Sequence, residues 1–324
     1  MKLIIQIPCF NEEGTLRVAL DDLPRQIEGI DSIETLIIND GSGDRTVATA
    51  RAWGVDHVVN FRRNRGLAYG FMAGIDACLR LGADIIVNTD ADNQYVGEDI
   101  KKLVCPILDK KADVVVGERP IAETEHFSPL KKRLQRLGSW VVRVASETEV
   151  PDAPSGFRAY SRAAAMQLNV INQYTYTLET IIQAGHRKMA ITSVKVRTNG
   201  ELRPSRLFHS IPAYIKRSGV TILRSFVMYK PLSVFLGIGA VLMLMGLIPA
   251  VRFLVYYFSG NGAGRVQSLI LAAVLFLLGF QTMMSGLLAD IVAANRKLIE
   301  DVQQRVRRLD YAAPTEPDKT GELE

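Results

Sequence analysis

The sequence is poor in the residues that build disulfide frameworks and histidine metal sites. Its 324 residues include three cysteines and four histidines, without a CxxC, HExxH or HxH pattern. An odd, scattered set of cysteines suits a reducing compartment and excludes a disulfide-stabilised secreted module. The wide spacing of the histidines argues against a zinc site built on them.

Two common nucleotide-binding motifs are also missing. The sequence contains no GxxxxGK(S/T) run, which excludes a P-loop. Gly41 and Gly43 stand like the first two glycines of a dinucleotide fingerprint, but Thr46 occupies the place of the third. The net charge of +5 comes without zinc-finger spacing or a long basic arm, so we expect no nucleic acid partner.

Short apolar runs and helical patterns alternate through the first 117 residues. Strands are predicted at 3–8, 33–38, 55–60, 84–89 and 113–117, and helices at 15–23, 44–52, 66–81 and 98–108. This alternation predicts an α/β fold, a Rossmann-type, mostly parallel sheet with flanking helices. Ligands of such sheets bind beyond the carboxyl ends of the strands, where the pattern places Asp40, Asp90 and Arg119.

Two long apolar runs, 232–258 and 266–292, follow this domain. Each is longer than the about 20 residues needed to cross a bilayer, and their internal charges, Arg252 and Asp290, lie near their ends. The glycine-rich turn 260–264 joins them. We therefore predict a two-helix transmembrane hairpin, against the alternative of two buried core helices.

The charges around the hairpin predict its orientation. Lys and Arg crowd both outer flanks, at 216–230 and 296–308, while the turn is nearly bare, so the positive-inside rule places both chain ends in the cytoplasm. The first apolar run is short and is broken by Gln6 and Pro8, which is typical of a strand and not of a signal peptide. We expect an integral membrane protein whose α/β domain is cytoplasmic.

The segments around these parts complete the predicted organisation. Residues 128–145 form a basic amphipathic pattern, which fits either a helix packed on the sheet or one at the membrane surface. The predicted divisions are an α/β domain over 1–206, juxtamembrane amphipathic helices over 207–230, two transmembrane helices over 231–292, and a cytoplasmic C-terminal helix with a disordered tail over 293–324.

Paired carboxylates follow the fourth predicted strand. Asp90, Asp92 and Gln94 share one side of the chain if it stays extended there, since alternate residues face the same way. Two carboxylates suit a hard divalent cation such as Mg²⁺ or Mn²⁺, with water and substrate phosphate completing its shell. The alternative is a turn or cap, because acidic residues are common in turns.

Two further groups can bind a phosphorylated nucleotide. Asp40, in a glycine-rich turn after the second strand, can accept hydrogen bonds from a ribose or a base. Arg203 and Arg206 can grip phosphates through two hydrogen bonds each. The alternative for these arginines is a solvated basic turn.

Seven short motifs then occur in a specific order and spacing. They are PCFNE at 8–12, NDGSGD at 39–44, NRGLA at 64–68, TDADNQ at 89–94, VVVGER at 114–119, SGFR at 155–158 and RPSR at 203–206. Together they resemble glycosyltransferase family 2, in its polyprenyl-phosphate branch of dolichyl-phosphate mannose synthase-like enzymes. The sequence departs from the family at Asn39, Asn93 and Tyr95, and it lacks the QxxRW motif of processive synthases, which argues against a polymerase.

The resemblance implies a GT-A-like catalytic domain and a role for each matching residue. The implied nucleoside pocket is lined by Pro8, Phe10, Glu12 and Asp40. The donor is further held at Asp90, Ala91 and Asp92. The implied metal ligands, for Mg²⁺ or Mn²⁺ on the donor diphosphate, are Asp92, Gln94 and Asp90. The implied contacts to donor or acceptor phosphates are Arg119, Arg133, Arg203 and Arg206, with Arg136 as an alternative to Arg133. The implied catalytic residues are Asp90, Asp92 and Arg119.

These features predict an inverting, metal-dependent enzyme that transfers a single sugar from a nucleotide-sugar to a polyprenyl phosphate, undecaprenyl or dolichyl, at the cytoplasmic face of a bilayer. UDP-glucose is the favoured donor, and GDP-mannose and UDP-N-acetylhexosamine are alternatives. The alternative acceptor is another lipid, of the diacylglycerol or ceramide type. A non-catalytic nucleotide-sugar-binding membrane protein is the competing class. A homo-oligomer is compatible with the sequence, which does not define the oligomeric state.

Overall fold

The computed structural model describes residues 1–120, 143, 146, 148–170, 176–200, 220, 227, 231–260, 266–311 and 322–323. The chain forms two compact units. The first unit comprises Met1–Ile222 together with Gln304–Glu324, and the second comprises Leu223–Gln303. The residues of each unit pack mainly among themselves.

A single mixed sheet organises the described part of the first unit. Its strands are β1 Lys2–Cys9, β2 Ser32–Asn39, β3 His57–Asn60, β4 Ile85–Asn88, β5 Val114–Glu118, β6 Arg158–Ser161, β7 Ile191–Lys195 and β8 Glu322–Leu323. Their order across the sheet is β7-β5-β6-β4-β1-β2-β3-β8. The five predicted strands are therefore confirmed, each within two residues at either end.

The parallel character predicted for the sheet is also confirmed, with one exception. Strand β1 pairs in parallel with both β2 and β4, β2 with β3, and β5 with β7. Strand β6 lies antiparallel between β4 and β5. It escaped prediction because its four residues, RAYS, carry no apolar run or clear alternation.

Helices cover the sheet, and the first four lie at the predicted positions, whereas the fifth and sixth were not predicted. They are α1 Leu16–Asp21, α2 Thr46–Trp53, α3 Leu67–Arg80, α4 Ile100–Leu108, α5 Arg162–Ala165 and α6 Thr177–His186, with one 3₁₀ turn at Gly97–Asp99. Helix α3 approaches the sheet closely at Gly74, where an added methyl group would lie 2.4 Å from Gln6 Oε1 and 2.8 Å from Ile38 Cδ1. This close packing fixes the position of helix α3 on the sheet.

The second unit contains two long helices, α7 Pro231–Phe258 and α8 Val266–Asp310. They have 28 and 45 residues, and both are long and apolar enough to cross a membrane. They pack against each other through glycines, since a methyl group added at Gly239 would lie 2.8 Å from the carbonyl oxygen of Gly279, and one added at Gly279 would lie 2.9 Å from that of Gly239. Small residues allow such close helix contact.

The outward faces of these helices favour the membrane interpretation of the apolar runs. A core helix of a soluble protein is mostly buried, whereas only 11% and 17% of the apolar windows of α7 and α8 are buried. Such large exposed apolar surfaces need a partner such as lipid. Helix α8 also continues 18 residues past the predicted end at 292, because residues 293–310 are mostly good helix formers.

The C-terminal end of α8, from Gln304 onward, is part of the first unit and contacts other residues of that unit. The Arg307 guanidinium donates to the carbonyl of Leu168 at 2.7 Å. The Tyr311 hydroxyl donates to the Asp76 carboxylate, and Arg80 lies over the Tyr311 ring at 5.6 Å from its centroid. Tyr311, the residue after α8, is thus attached to helix α3, and Arg307 is attached to the chain after α5.

Several predicted segments lie outside the described residues. These are the amphipathic segments at 128–145 and 207–228, of which only a few positions are described, among them the helical residues Arg143, Val220 and Val227. The same holds for most of the tail predicted to be disordered.

Candidate active site

Two loops at the carboxyl ends of β1 and β2 are tied together by hydrogen bonds. The amide of Asn11, whose φ is +56°, donates to Ser42 Oγ at 2.9 Å. In return the amide of Gly43 donates to Asn11 Oδ1 at 2.8 Å. The amide of Glu12 donates to Thr46 Oγ1 at 2.8 Å. The two motifs PCFNE and NDGSGD therefore form one continuous wall.

The residues implied for the nucleoside pocket differ in exposure along this wall. Phe10 is 40% exposed. Glu12 is buried, and its Oε2 accepts the Thr15 hydroxyl at 2.9 Å, so one of its oxygens is already used by the protein. Pro8 is the penultimate residue of β1. Their contacts with a nucleoside stay predictions.

Asp40 fixes the loop that precedes helix α3. Its carboxylate is buried and accepts the amides of Arg65 at 2.7 Å and Gly66 at 2.9 Å. The sequence indicated a carboxylate facing the nucleoside, and the structure shows that both of its oxygens also hold the NRGLA motif. Asp40 is thus a structural part of the pocket wall, whatever else it contacts.

Asn39, which departs from the family pattern, has a local explanation. Its Nδ2 donates to Asn60 Oδ1 at 2.7 Å, and its Oδ1 accepts the amide of Ser42 at 3.1 Å. An aspartate would keep the second bond and lose the first, because a carboxylate has no N–H to donate. The asparagine therefore connects β2, β3 and the loop after β2.

Replacing Gly41 with alanine is expected to distort this wall. Gly41 has φ +72°, and an added methyl group would lie 2.4 Å from the backbone carbon of Arg63 and 2.6 Å from the nitrogen of Asn64. The strained backbone alone costs about 1–3 kcal/mol, and the displaced loop takes Arg65 and Gly66 away from Asp40. We expect a lower melting temperature in thermal unfolding.

Gly43→Ala is the matched control for that variant. A methyl group at Gly43 has no neighbour within 4 Å, and its φ is not positive. The control should unfold at the wild-type temperature. Equal melting temperatures for the two variants would contradict the close approach at Gly41.

The acidic motif after β4 forms a turn and not the extended segment that we expected. Turn geometry begins at Ala91, and Asn93 has φ +56°, a conformation that asparagine tolerates better than most residues. The amide of Gln94 donates to Asp92 Oδ1 at 3.2 Å. The argument that alternate residues share one side is therefore wrong here, and the turn alternative describes the backbone.

The described side chains at this turn do not supply a complete set of metal ligands by themselves. Within the described residues, no group of three His, Cys, Asp or Glu side chains is placed to hold a metal ion. Asp90 and Asp92 are both partly exposed at the carboxyl edge of the sheet. Two carboxylates in that setting suit Mg²⁺ bound together with substrate phosphate, which commonly uses one or two protein carboxylates.

Gly156 leaves room for the Asp90 side chain. A methyl group added at Gly156 would lie 3.3 Å from both carboxylate oxygens of Asp90 and 3.0 Å from the hydroxyl of Tyr176. The backbone of Gly156 is itself held, because its carbonyl accepts Asn88 Nδ2 at 2.9 Å and its amide donates to the Tyr95 hydroxyl at 3.4 Å. Burial raises the pKa of Tyr95 to about 12, so this hydroxyl stays protonated.

Arg119 forms a bidentate ion pair with Asp152. Its Nε and Nη2 donate to the two carboxylate oxygens at 2.8 and 3.0 Å, with side-chain exposures of 17% for Arg119 and 1% for Asp152. Burial opposes the charge on Arg119, but the carboxylates of Asp152 and Asp90 raise the pKa of its guanidinium. Arg119 is therefore a firmly oriented cation.

Sequence reasoning found Arg119 and Asp90 but missed Asp152, Tyr95 as a hydroxyl acceptor, and Tyr176. Asp152 stands three residues before the SGFR motif, and only its burial beside Arg119 reveals its role. The predicted phosphate ligands Arg133, Arg203 and Arg206, and the alternative Arg136, lie outside the described residues. Their roles stay predictions.

Comparison with known families identifies the class of the protein. The model of glycosyl transferase family 2 matches residues 4–168, which is half of the chain and includes six of the seven motifs. The chain therefore belongs to glycosyl transferase family 2 and is a glycosyltransferase.

Individual relatives narrow the comparison. The chain is 29% identical over 214 residues to the UDP-N-acetylglucosamine–dolichyl-phosphate N-acetylglucosaminyltransferase of Methanococcus voltae, covering 59% of this chain and 83% of that protein. It is 24% identical to the polyprenol monophosphomannose synthase of Mycolicibacterium smegmatis over 218 residues, covering 64% and 81%. These similarities support the polyprenyl-phosphate branch of the family.

The fold has solved counterparts. A crystal structure of glucosyl-3-phosphoglycerate synthase from Mycobacterium tuberculosis, in complex with Mn²⁺, UDP and glucosyl-3-phosphoglycerate, matches 70% of this chain and 78% of that chain with a TM-score of 0.54 and 18% identity. The GT-A-like fold expected from the sequence is thereby confirmed.

Proposed function

We propose that this protein transfers a single sugar from a nucleotide-sugar to a polyprenyl phosphate at the cytoplasmic face of a membrane, with inversion at the anomeric carbon. The observation that carries the proposal is the presence in one chain of a family 2 catalytic domain and two exposed apolar helices. Relatives named for dolichyl-phosphate and polyprenol acceptors support the same acceptor class.

The geometry of the described side chains supports a role for each of them in transfer. Phe10 and the wall held by Asp40 receive the nucleoside of the donor. Arg119, oriented by Asp152, stabilises the negative charge that develops on the leaving diphosphate, since fixed cations are most effective where charge appears in the transition state. The acceptor phosphate is already anionic near neutral pH, with a second pKa of about 6, so it needs positioning more than a general base.

A divalent cation fits this donor set. Asp90 and Asp92 supply the carboxylates that Mg²⁺ or Mn²⁺ takes alongside diphosphate oxygens. Bound there, the ion would act as a Lewis acid on the diphosphate. The Mn²⁺ in the solved complex of glucosyl-3-phosphoglycerate synthase supports this assignment. Gln94 completes the proposed ligands.

We assign residues 231–292 to the membrane, residues 1–206 to the cytoplasmic catalytic domain and residues 207–230 to the membrane interface. The basic flanks of the apolar pair support a cytoplasmic location for both chain ends. The C-terminal residues 293–324 then return to the catalytic side. The two named relatives differ in their sugars, so UDP-glucose stays one donor candidate beside GDP-mannose and UDP-N-acetylhexosamine.

Transfer of radiolabelled sugar to extractable lipid tests the proposal. Membranes containing the protein are supplied with each labelled nucleotide-sugar and with undecaprenyl phosphate, dolichyl phosphate, diacylglycerol or ceramide. We expect labelled product with a polyprenyl phosphate in the presence of Mg²⁺ or Mn²⁺. Asp92→Ala should lower the rate by about 100-fold or more, because a metal-binding carboxylate is lost.

Asp109→Ala is the matched control, since Asp109 forms an exposed ion pair with Lys111 and such pairs contribute little. It should transfer sugar at the wild-type rate. Product on diacylglycerol or ceramide alone would replace the acceptor, and full activity of Asp92→Ala would refute the metal role.

A further inference from the structure

The loop over residues 152–158 touches both charged groups of the proposed site. Its first residue, Asp152, holds the Arg119 guanidinium through two hydrogen bonds. Its fifth residue, Gly156, faces the Asp90 carboxylate so closely that an added methyl group would lie 3.3 Å from both carboxylate oxygens. One short segment thus borders a cation and an anion that come from two different strands.

The loop is held rigidly from within the fold. Arg158 is fully buried. Its guanidinium donates to the carbonyls of Ala153 at 2.6 Å, Ser155 at 2.8 Å and Thr177 at 2.8 Å. From the other side, Asn88 on β4 donates to the carbonyl of Gly156. The backbone on both sides of Gly156 is therefore fixed to β4, β6 and α6.

We propose that the loop 152–158 is a positioning element that sets both active-site charges, with Asp152 orienting Arg119 and Gly156 defining where the Asp90 carboxylate lies. Neither residue touches the substrate in this proposal. The inference rests on the proposed function, because it takes Arg119 as a diphosphate contact and Asp90 as a metal or donor ligand.

The two halves of the loop have separable effects. Asp152→Asn keeps the size of the side chain but replaces one acceptor oxygen with an N–H₂ group, which cannot accept from Arg119. The guanidinium is then loosened, whereas Asp90 is unaffected. Gly156→Ala places a methyl group 3.0 Å from the buried Tyr176 hydroxyl and 3.3 Å from both Asp90 oxygens. The more exposed Asp90 carboxylate is then expected to shift by a few tenths of an ångström, while Arg119 keeps its partner.

Calorimetric titration of the full chain in detergent with UDP and with GDP, each with and without Mn²⁺, tests this separation. For the nucleotide that the wild type binds more tightly, Asp152→Asn should weaken binding about tenfold with or without Mn²⁺. Gly156→Ala should weaken it about tenfold only with Mn²⁺. Both variants should lower kcat for transfer by about 10–100-fold, the usual effect of losing a group that orients a ligand.

Two controls match the substitutions. Asp109→Asn repeats the acid-to-amide change on an exposed ion pair, and Gly14→Ala adds a methyl group where no atom lies within 4 Å. Both should bind nucleotide like the wild type. Thermal unfolding of each variant reports whether it is folded.

The outcomes separate this inference from the proposed function. If the wild type binds neither nucleotide, the proposed function fails and the inference fails with it. If the wild type binds a nucleotide and both variants bind it as tightly as the wild type does, the proposed function stands and the positioning role is overturned. The positioning role is also overturned if both variants lose the same affinity with and without Mn²⁺ and both have a lower melting temperature. The loop would then be only structural.

Discussion

Asp90→Asn is expected to lower kcat for sugar transfer by on the order of 10³-fold, because several kcal/mol of electrostatic stabilisation at the diphosphate is lost and each 1.36 kcal/mol corresponds to a factor of ten. Asp90 follows β4, and a methyl group added at Gly156 would lie 3.3 Å from both of its carboxylate oxygens. Asparagine has nearly the same shape, so the surrounding turn is retained. Initial rates at saturating donor and acceptor measure the effect.

The fold of this variant has to be intact for the result to count. Its melting temperature should match the wild type, since Asp90 is only partly buried. Asp109→Asn, on the exposed turn after α4, provides the same chemical change away from the site and should keep the wild-type kcat. A kcat for Asp90→Asn within about tenfold of the control would remove Asp90 from the catalytic residues.

Arg158→Leu is expected to cause the largest loss of stability. The substitution leaves the carbonyls of Ala153, Ser155 and Thr177 without their buried donor, and each such group costs roughly 1–3 kcal/mol. A total of at least about 3 kcal/mol corresponds to a melting temperature about 6–12 °C lower for a domain of this size. Thermal unfolding in detergent, followed by circular dichroism, measures it.

Arg17→Leu is the comparison, because Arg17 is 77% exposed and forms a long ion pair with Asp21 at 3.8 Å. That variant should unfold at the wild-type temperature. Arg158→Lys should fall between the two, since one ammonium group cannot reach three separate carbonyls as a planar guanidinium does. A melting temperature of Arg158→Leu equal to that of Arg17→Leu would show that the buried guanidinium adds nothing to stability.

Much of the sheet could be predicted because its parallel strands are continuous apolar runs that end at glycine or polar residues. Ile85–Asn88 and Val114–Glu118 are examples, since both are buried along most of their length. Strand β6 follows a different rule. Its first residue is a buried arginine whose guanidinium donates hydrogen bonds to the carbonyls of Ala153, Ser155 and Thr177, and no pattern of apolar residues encodes such contacts.

The site divides in the same way. Asp40 and Asp90 were found because a carboxylate at a strand end is visible in the sequence. The partner of Arg119 was not, because Asp152 lies 33 residues away along the chain and only the folded structure brings them together. The turn at Asp92 was misjudged because the left-handed conformation of Asn93 ends the extended segment early.

The contacts of Arg307 with Leu168 and of Tyr311 with helix α3 bear on the preparation of a soluble fragment. A truncation before α7 removes both side chains, so the Asp76 carboxylate and the carbonyl of Leu168 would exchange them for water. The Arg80 guanidinium would also lose its contact with the Tyr311 ring. A fragment that retains residues 304–311 keeps this surface as it is in the intact chain.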